Sequence, residues 1–216
     1  VAQAVYGLPE VYRKELLGAK LIATPGCYVT AATLALRPFV RGGVFHAEGL
    51  IVDAASGVSG AGKALKSSSM FTTVDEDFSA YGLVSHRHTP EMEQEIGGQV
   101  LFTPHLAPMS RGILATCYAR PISANTTTES LLQVLAETYK NEKFIVVGEE
   151  IPSTKSTQGT NAVHITARYD ARTGYAIVIA ALDNLTKGAS GGAVQSANVA
   201  LGLEESLGLS SVGVWP

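Results

Sequence analysis

Hydrophobic residues recur in separate blocks along this chain, some at a spacing of two and some at three to four, so strands and helices are interleaved. Apolar and polar positions alternate over 162–169, and 175–182 is an unbroken apolar run. The turn Asp170-Ala171-Arg172-Thr173-Gly174 between them predicts a β-hairpin. Strands are also predicted over 20–23, 49–55, 100–103, 113–120 and 144–147. Helices are predicted over 28–40, over 128–140, where Leu131, Leu132, Leu135 and Tyr139 share one side, and over 90–96, which opens on Pro90. An alanine- and glycine-rich segment, 188–202, reads as a closing helix. Between 67 and 85 polar and aromatic residues follow no clean period, which predicts a long irregular excursion of the kind that often carries function. The whole order predicts an α+β fold in which helices pack on a mixed, largely antiparallel sheet.

The chain has 216 residues, 46% of them hydrophobic, enough to bury a sizeable core. A net charge of -3 with scattered Lys and Arg offers no basic stripe and argues against nucleic acid as a partner. The longest apolar run is much shorter than a membrane span, and no export signal is evident, so a soluble cytoplasmic protein is expected. The two cysteines, Cys27 and Cys117, are too far apart in sequence to suggest a zinc site or a disulfide framework. The chain opens at Val1 and soon enters a Tyr6-Gly7-Leu8-Pro9-Glu10 turn before a helix, which reads as part of a longer polypeptide.

Chemistry concentrates at Ala23-Thr24-Pro25-Gly26-Cys27-Tyr28. There a strand turns through Pro-Gly into a helix, so that Cys27 meets unpaired amide N–H groups and the positive end of the helix dipole, which favour a thiolate. A small buried core cysteine would fit the same position. Cys117 lies within an apolar strand and reads as inert core. Gly57-Val58-Ser59-Gly60-Ala61-Gly62-Lys63 matches most of a phosphate-binding loop, but Ala64 stands where a Mg²⁺-holding hydroxyl is needed. What remains is a loop whose Ser59 and Gly60 can approach an anion. Ser85-His86-Arg87-His88-Thr89-Pro90-Glu91 packs two imidazoles, a guanidinium and a carboxylate ahead of a helix. Three readings are open: a metal chelate, for which no third ligand stands at a telling spacing; a surface loop; or acid–base chemistry beside Cys27 with Arg87 gripping an anion.

Pro25-Gly26-Cys27-Tyr28-x-Thr30-Ala31-Ala32, His86-Arg87-His88-Thr89-Pro90-Glu91 and Asp183-Asn184-Leu185-x-Lys187-Gly188-Ala189 together closely resemble the N-acetyl-γ-glutamyl-phosphate reductase family. Val29 departs from that pattern, in which proline usually follows Cys-Tyr. The resemblance implies a catalytic domain like those of glyceraldehyde-3-phosphate and aspartate-semialdehyde dehydrogenases. It implies Cys27 as nucleophile, His86 as acid–base residue and Glu91 as a substrate-binding residue; Arg87, Arg111 and the Ser59-Gly60 loop are the candidates for the substrate's phosphate and carboxylate. Asn184, Lys187 and Gly188 are implied beside the cofactor, NADP, with no metal. The implied reaction is NADPH-dependent reduction of N-acetyl-γ-glutamyl phosphate through a cysteine thioester, by a homodimer or homotetramer. An aspartate-semialdehyde type of dehydrogenase and a cysteine hydrolase using Cys27, His86 and Glu91 are the alternatives. Three segments are expected: 1–26 as the tail of a dinucleotide-binding domain, 27–184 as the catalytic and dimerisation domain, and 185–216 returning to the first. No strand-linked Gly-x-Gly-x-x-Gly occurs in the chain, so most of the dinucleotide-binding domain is expected upstream of Val1.

Overall fold

The computed structural model describes residues 3–213; residues 1–2 and 214–216, the outer ends of the first and third expected segments, lie outside the described residues. A seven-stranded mixed sheet forms the centre, in the order β4-β5-β3-β6-β9-β8-β7. Its strands are β3 (Leu50–Gly57), β4 (Ser79–Ala80), β5 (Val100–Ala107), β6 (Ile113–Ala119), β7 (Ile145–Val147), β8 (Val163–Asp170) and β9 (Tyr175–Leu182). Only β3–β5 and β7–β8 are parallel pairs; the other neighbours run antiparallel, as the interleaved pattern predicts. A separate two-stranded parallel ladder joins β1 (Val5–Tyr6) to β2 (Ile22–Ala23) and aims the chain at Cys27.

The long helix α2 (Cys27–Arg41) lies on one face of the sheet against β6 and β9. Tyr28 to Leu36 are all buried, because α2 has apolar or small residues all round and is covered on every side. Its flanks are α4 (Thr89–Ile96) and α5 (Thr128–Tyr139), and the Tyr139 hydroxyl donates to the Leu34 carbonyl at 2.6 Å. At its far end Phe39 stacks on Phe45 with centroids 4.4 Å apart. The opposite sheet face carries half-buried Ile51, Leu114, Tyr118, Ile177 and Ile179, with exposed Leu101 beside them.

The first and last segments meet. Helix α1 (Pro9–Leu16) packs on α6 (Gly191–Ala200), the Gly18 amide donates to the Ala200 carbonyl, and Ser196 donates to the Gly7 carbonyl.

Two boundaries differ most from the sequence expectation. Strand β5 runs on through Pro104 to Ala107, whereas the missing proline N–H predicts a stop at Thr103; the Pro104 carbonyl is used, by the Tyr81 amide. The closing helix begins at Gly191 and not at Gly188, because Thr186–Ser190 is wound as a π turn, with the Ser190 amide reaching back to the Leu185 carbonyl. The excursion over 67–85 is irregular as expected, apart from a single turn, α3 (Phe71–Val74), and the two residues of β4.

Since Phe39 is wholly buried against Phe45, Phe39→Ala is expected to destabilise the fold by about 3–5 kcal/mol, read as a lower urea midpoint with unchanged slope.

Candidate active site

Cys27 is the first residue of α2, and Gly26 caps the helix in an extended conformation without a side-chain cap. Only glycine fits at position 26: a Cβ there would lie 2.3 Å from Nε2 of His88, a buried ring with little room to retreat. The Gly26 amide donates to Glu91 Oε1 at 3.2 Å, and the Tyr6 hydroxyl donates to the same oxygen at 2.7 Å. Glu91, from the first turn of α4, thus ties the start of α2 to the β1 strand. The Tyr28 hydroxyl donates to the His105 carbonyl and receives a hydrogen bond from Tyr81.

A cleft of about 580 Å³ opens over this helix start. It is lined by Cys27, by His86, Arg87 and His88, by Ser59, Gly60 and Lys66, and by Asn184, Leu185, Gly188 and Ala189. Chain segments that are remote in sequence therefore share one cleft with Cys27. Gly188 lies so close that a Cβ would meet Cys27 Cβ at 2.8 Å.

The expected thiolate preference at Cys27 is corrected by burial. Desolvation raises the thiol above its ordinary value and outweighs the amides of Tyr28 and Cys27 and the charge of Arg87, which act in the opposite direction. Cys117 is fully buried in β6, and burial alone pushes it up to about 12, consistent with inert core.

The two imidazoles occupy different surroundings. His86 is half-buried and stands edge-on to Tyr28, Tyr81 and Phe102. Its Nδ1 accepts the His88 amide at 3.1 Å, so the neutral ring carries its proton on Nε2. Burial and then Arg87 lower its pKa. His88 is buried against Gly26, and burial, helped by His86 and Arg87, takes it from 6.5 to about 4. Val84, two residues before His86, holds the left-handed φ of 53°, a strained conformation for a β-branched residue.

Two expected contacts are redirected. Lys187, expected beside the cofactor, has its ammonium buried on Glu10 at 2.5 Å and does not reach the cleft. Arg111, expected on the substrate, pairs with buried Asp183 at 2.7 Å and is absent from the cleft wall. Asn184 lines the cleft but also spends its side chain internally. It accepts the Gly112 amide at 2.6 Å and donates to Ser59 Oγ at 2.9 Å, pinning the Ser59-Gly60 turn in place. Lys66 is a cleft cation that sequence reading missed, since the aperiodic excursion gave no spacing that distinguishes it from Lys63.

Comparison with known proteins adds the following. Residues 27–184 match the family described as "Semialdehyde dehydrogenase, dimerisation domain". The chain is 46% identical, over 100% of its length, to the N-acetyl-gamma-glutamyl-phosphate reductase of Pelotomaculum thermopropionicum, and spans 64% of that protein. It is 48% identical to the protein of the same name from Geobacter sulfurreducens, over 99% of this chain and 64% of the relative. Among solved structures it resembles aspartate semialdehyde dehydrogenase II from Vibrio cholerae, with TM-score 0.69 and 16% identity over 90% of this chain and 67% of that one. A probable aspartate-semialdehyde dehydrogenase from Pseudomonas aeruginosa gives TM-score 0.68 and 20% identity over 91% and 68%.

The buried neutral His88 links stability to pH. Its folded pKa lies below the unfolded value, so between 6.5 and about 4 the unfolded chain binds more protons and stability falls as pH falls. Unfolding at pH 7 and pH 4.5 is expected to differ by about 2 kcal/mol more in the wild type than in His88→Asn.

Proposed function

The chain belongs to the semialdehyde dehydrogenase family through its dimerisation domain, and on that premise we propose that it carries the nucleophilic half of an acyl-phosphate reductase, with N-acetyl-γ-glutamyl phosphate as substrate. The observation that carries the reading is the company of Cys27: an amide-rich helix start, an imidazole whose Nε2 carries its proton, two cleft cations, and the Asn184 to Ala189 wall line one cleft. The names of the most similar relatives support the substrate.

Cys27 attacks the γ-carbonyl; the carbon–oxygen bond to phosphate breaks, inorganic phosphate leaves, and a thioester remains. The raised thiol pKa means that a proton must be removed as attack occurs, a task given to His86, which lowered basicity keeps neutral at pH 7 and which accepts that proton in its other tautomer, with the His88 amide released from Nδ1. The amides of Cys27 and Tyr28, already turned toward the sulfur, stabilise the anion formed. Arg87 and Lys66, both on the cleft wall, grip the phosphate and carboxylate, and Ser59 and Gly60 offer further hydrogen bonds. Glu91 serves the reaction through the Gly26 amide, and substrate contact by Arg111 requires release from Asp183.

The cleft wall formed by Asn184, Leu185, Gly188 and Ala189 would hold the ring end of a nicotinamide. NADPH bound there would supply a hydride to the thioester carbonyl. His86 would protonate the oxygen left anionic, and on collapse that proton would return through His86 to the sulfur as the carbon–sulfur bond breaks, releasing the semialdehyde and the free thiol. The hydrolase alternative is disfavoured because Glu91 Oε1 is engaged by Gly26 and Tyr6, and His86 Nδ1 by the His88 amide, so no carboxylate–imidazole pair orients a triad.

A homo-oligomer belongs to the same proposal. The sheet face opposite α2, with Ile51, Leu101, Leu114, Tyr118, Ile177 and Ile179 adjacent across four paired strands, is a self-complementary candidate for the dimer contact.

In the full-length protein, NADPH oxidation is expected with N-acetyl-γ-glutamyl phosphate and not with β-aspartyl phosphate; the reverse preference would favour the aspartate-semialdehyde reading. His86→Asn is expected to lower kcat by roughly 10² to 10⁴ and His88→Asn by much less. A larger loss at His88 would transfer the proton-transfer role to that ring. Ile177→Glu is expected to shift sedimentation from dimer or tetramer toward smaller species, and an unchanged profile would exclude this sheet face as the contact.

A further inference from the structure

Behind the Asn184 to Ala189 wall lies a polar cluster that the reaction does not use directly. Lys187 Nζ, 1% exposed, sits 2.5 Å from Oε1 of Glu10, whose side chain is 0% exposed. Gln195 of α6 bridges the pair, accepting from Lys187 at 2.6 Å and donating to Glu10 at 2.9 Å and to Glu205 at 2.9 Å. Glu205 in turn accepts Arg13 of α1 at 2.7 Å. The cluster therefore fastens α1, the π turn Thr186–Ser190 and α6 to one another.

The same π turn carries Gly188, whose backbone is packed so tightly on Cys27 that no side chain fits between them. The Gly188 amide donates to the Asp183 carbonyl at 3.0 Å, which fixes the entry to the turn, while the Thr186 hydroxyl donates to the Thr160 carbonyl. Ser190 closes the exit by donating its amide and hydroxyl to the Leu185 carbonyl, and within the turn the Lys187 ammonium adds a charged tether one residue before Gly188. Among the described residues the cleft wall includes Gly188 and Ala189 but not Lys187, which faces the opposite way, toward the narrow space near Pro9 and Thr24. Burial acts to raise the Glu10 carboxyl, and the Lys187 charge with the hydrogen bonds from Lys187 and Gln195 more than offsets it, so the carboxyl is held below its ordinary value.

We infer that Lys187 is a positioning residue: locked on Glu10, it holds the π turn at the depth where the Gly188 backbone closes against Cys27, and it touches neither substrate nor cofactor. The inference rests on the reading of Cys27 as nucleophile. A buried ion pair suits this task because removing one partner strands the other charge, so the turn has one stable seating and no gradual slack.

The test uses the full-length protein with Glu10→Gln and Lys187→Met, singly and combined. Carbamidomethylation of Cys27, followed by peptide mass mapping, reads the seat of the sulfur, and kcat with KM for NADPH reads the reaction. Each single change is expected to alter the Cys27 alkylation rate by about threefold or more and to lower kcat by roughly tenfold or more, with KM for NADPH held within about threefold. The combined variant is expected to be no worse than the poorer single one, because both act through one contact. A rise of about tenfold in KM for NADPH in Lys187→Met, without a counterpart in Glu10→Gln, would overturn the inference, since the lysine would then meet the cofactor. Native alkylation rates in both folded variants would overturn it too. If circular dichroism shows Lys187→Met unfolded, Glu10→Gln, which keeps the side-chain shape, decides by the same alkylation and kcat outcomes. A wild-type protein that reduces no acyl phosphate would refute the proposed function, and the alkylation rates would still decide the role of Lys187.

Discussion

The architecture hangs on one close approach, the backbone of Gly188 against Cys27. For the two to meet, the end of β9 must bring Asp183 and Asn184 to the mouth of the sheet, α2 must begin without a bulky cap, and the turn after Asn184 must widen from α to π geometry. Each condition is met by a specific residue choice. Gly26 leaves room for His88, Asp183 accepts the Gly159 and Leu185 amides, and Asn184 spans from β6 to the Ser59 turn. The site is thereby built from backbone and small residues, with the charged groups placed behind it or at its rim.

That construction has an electrostatic consequence. Packing glycine, tyrosine and two imidazoles around the sulfur removes water, and desolvation dominates over the helix start. The thiol is held protonated more firmly than a free cysteine, and in the proposed reaction its deprotonation would accompany attack. His86 and His88 are both held neutral by burial and by Arg87, so the positive charge near Cys27 resides on the arginine. In the proposed reaction that charge would also meet the substrate anion.

Local signals in the chain foretold the parts of this picture that local chemistry determines. Pro25-Gly26-Cys27 announced a strand-to-helix turn, the alternation over 162–169 and the run over 175–182 announced the hairpin, and the seven residues from Ser85 to Glu91 announced a dense polar segment beside the site. What stayed hidden depends on partners remote in sequence. Lys187 and Glu10 are separated by |i−j| = 177, and Tyr6 and Glu91 by 85, so neither pairing leaves a spacing to read. Cys27's raised pKa was hidden for the same reason, since the burial that causes it comes from the loop of His88 and the turn of Gly188. Lys66 was hidden because its segment has no period. The π turn was hidden because Thr186 to Ser190 has the composition of an ordinary helix start.

The account turns on a covalent acyl group at Cys27. Full-length protein mixed with N-acetyl-γ-glutamyl phosphate in the absence of NADPH, quenched in acid and analysed by intact and peptide mass spectrometry, tests it most directly. The account predicts one N-acetylglutamyl group on Cys27, with one equivalent of phosphate released for each group bound. Phosphate release with no adduct at Cys27, or an adduct at another residue, would contradict it.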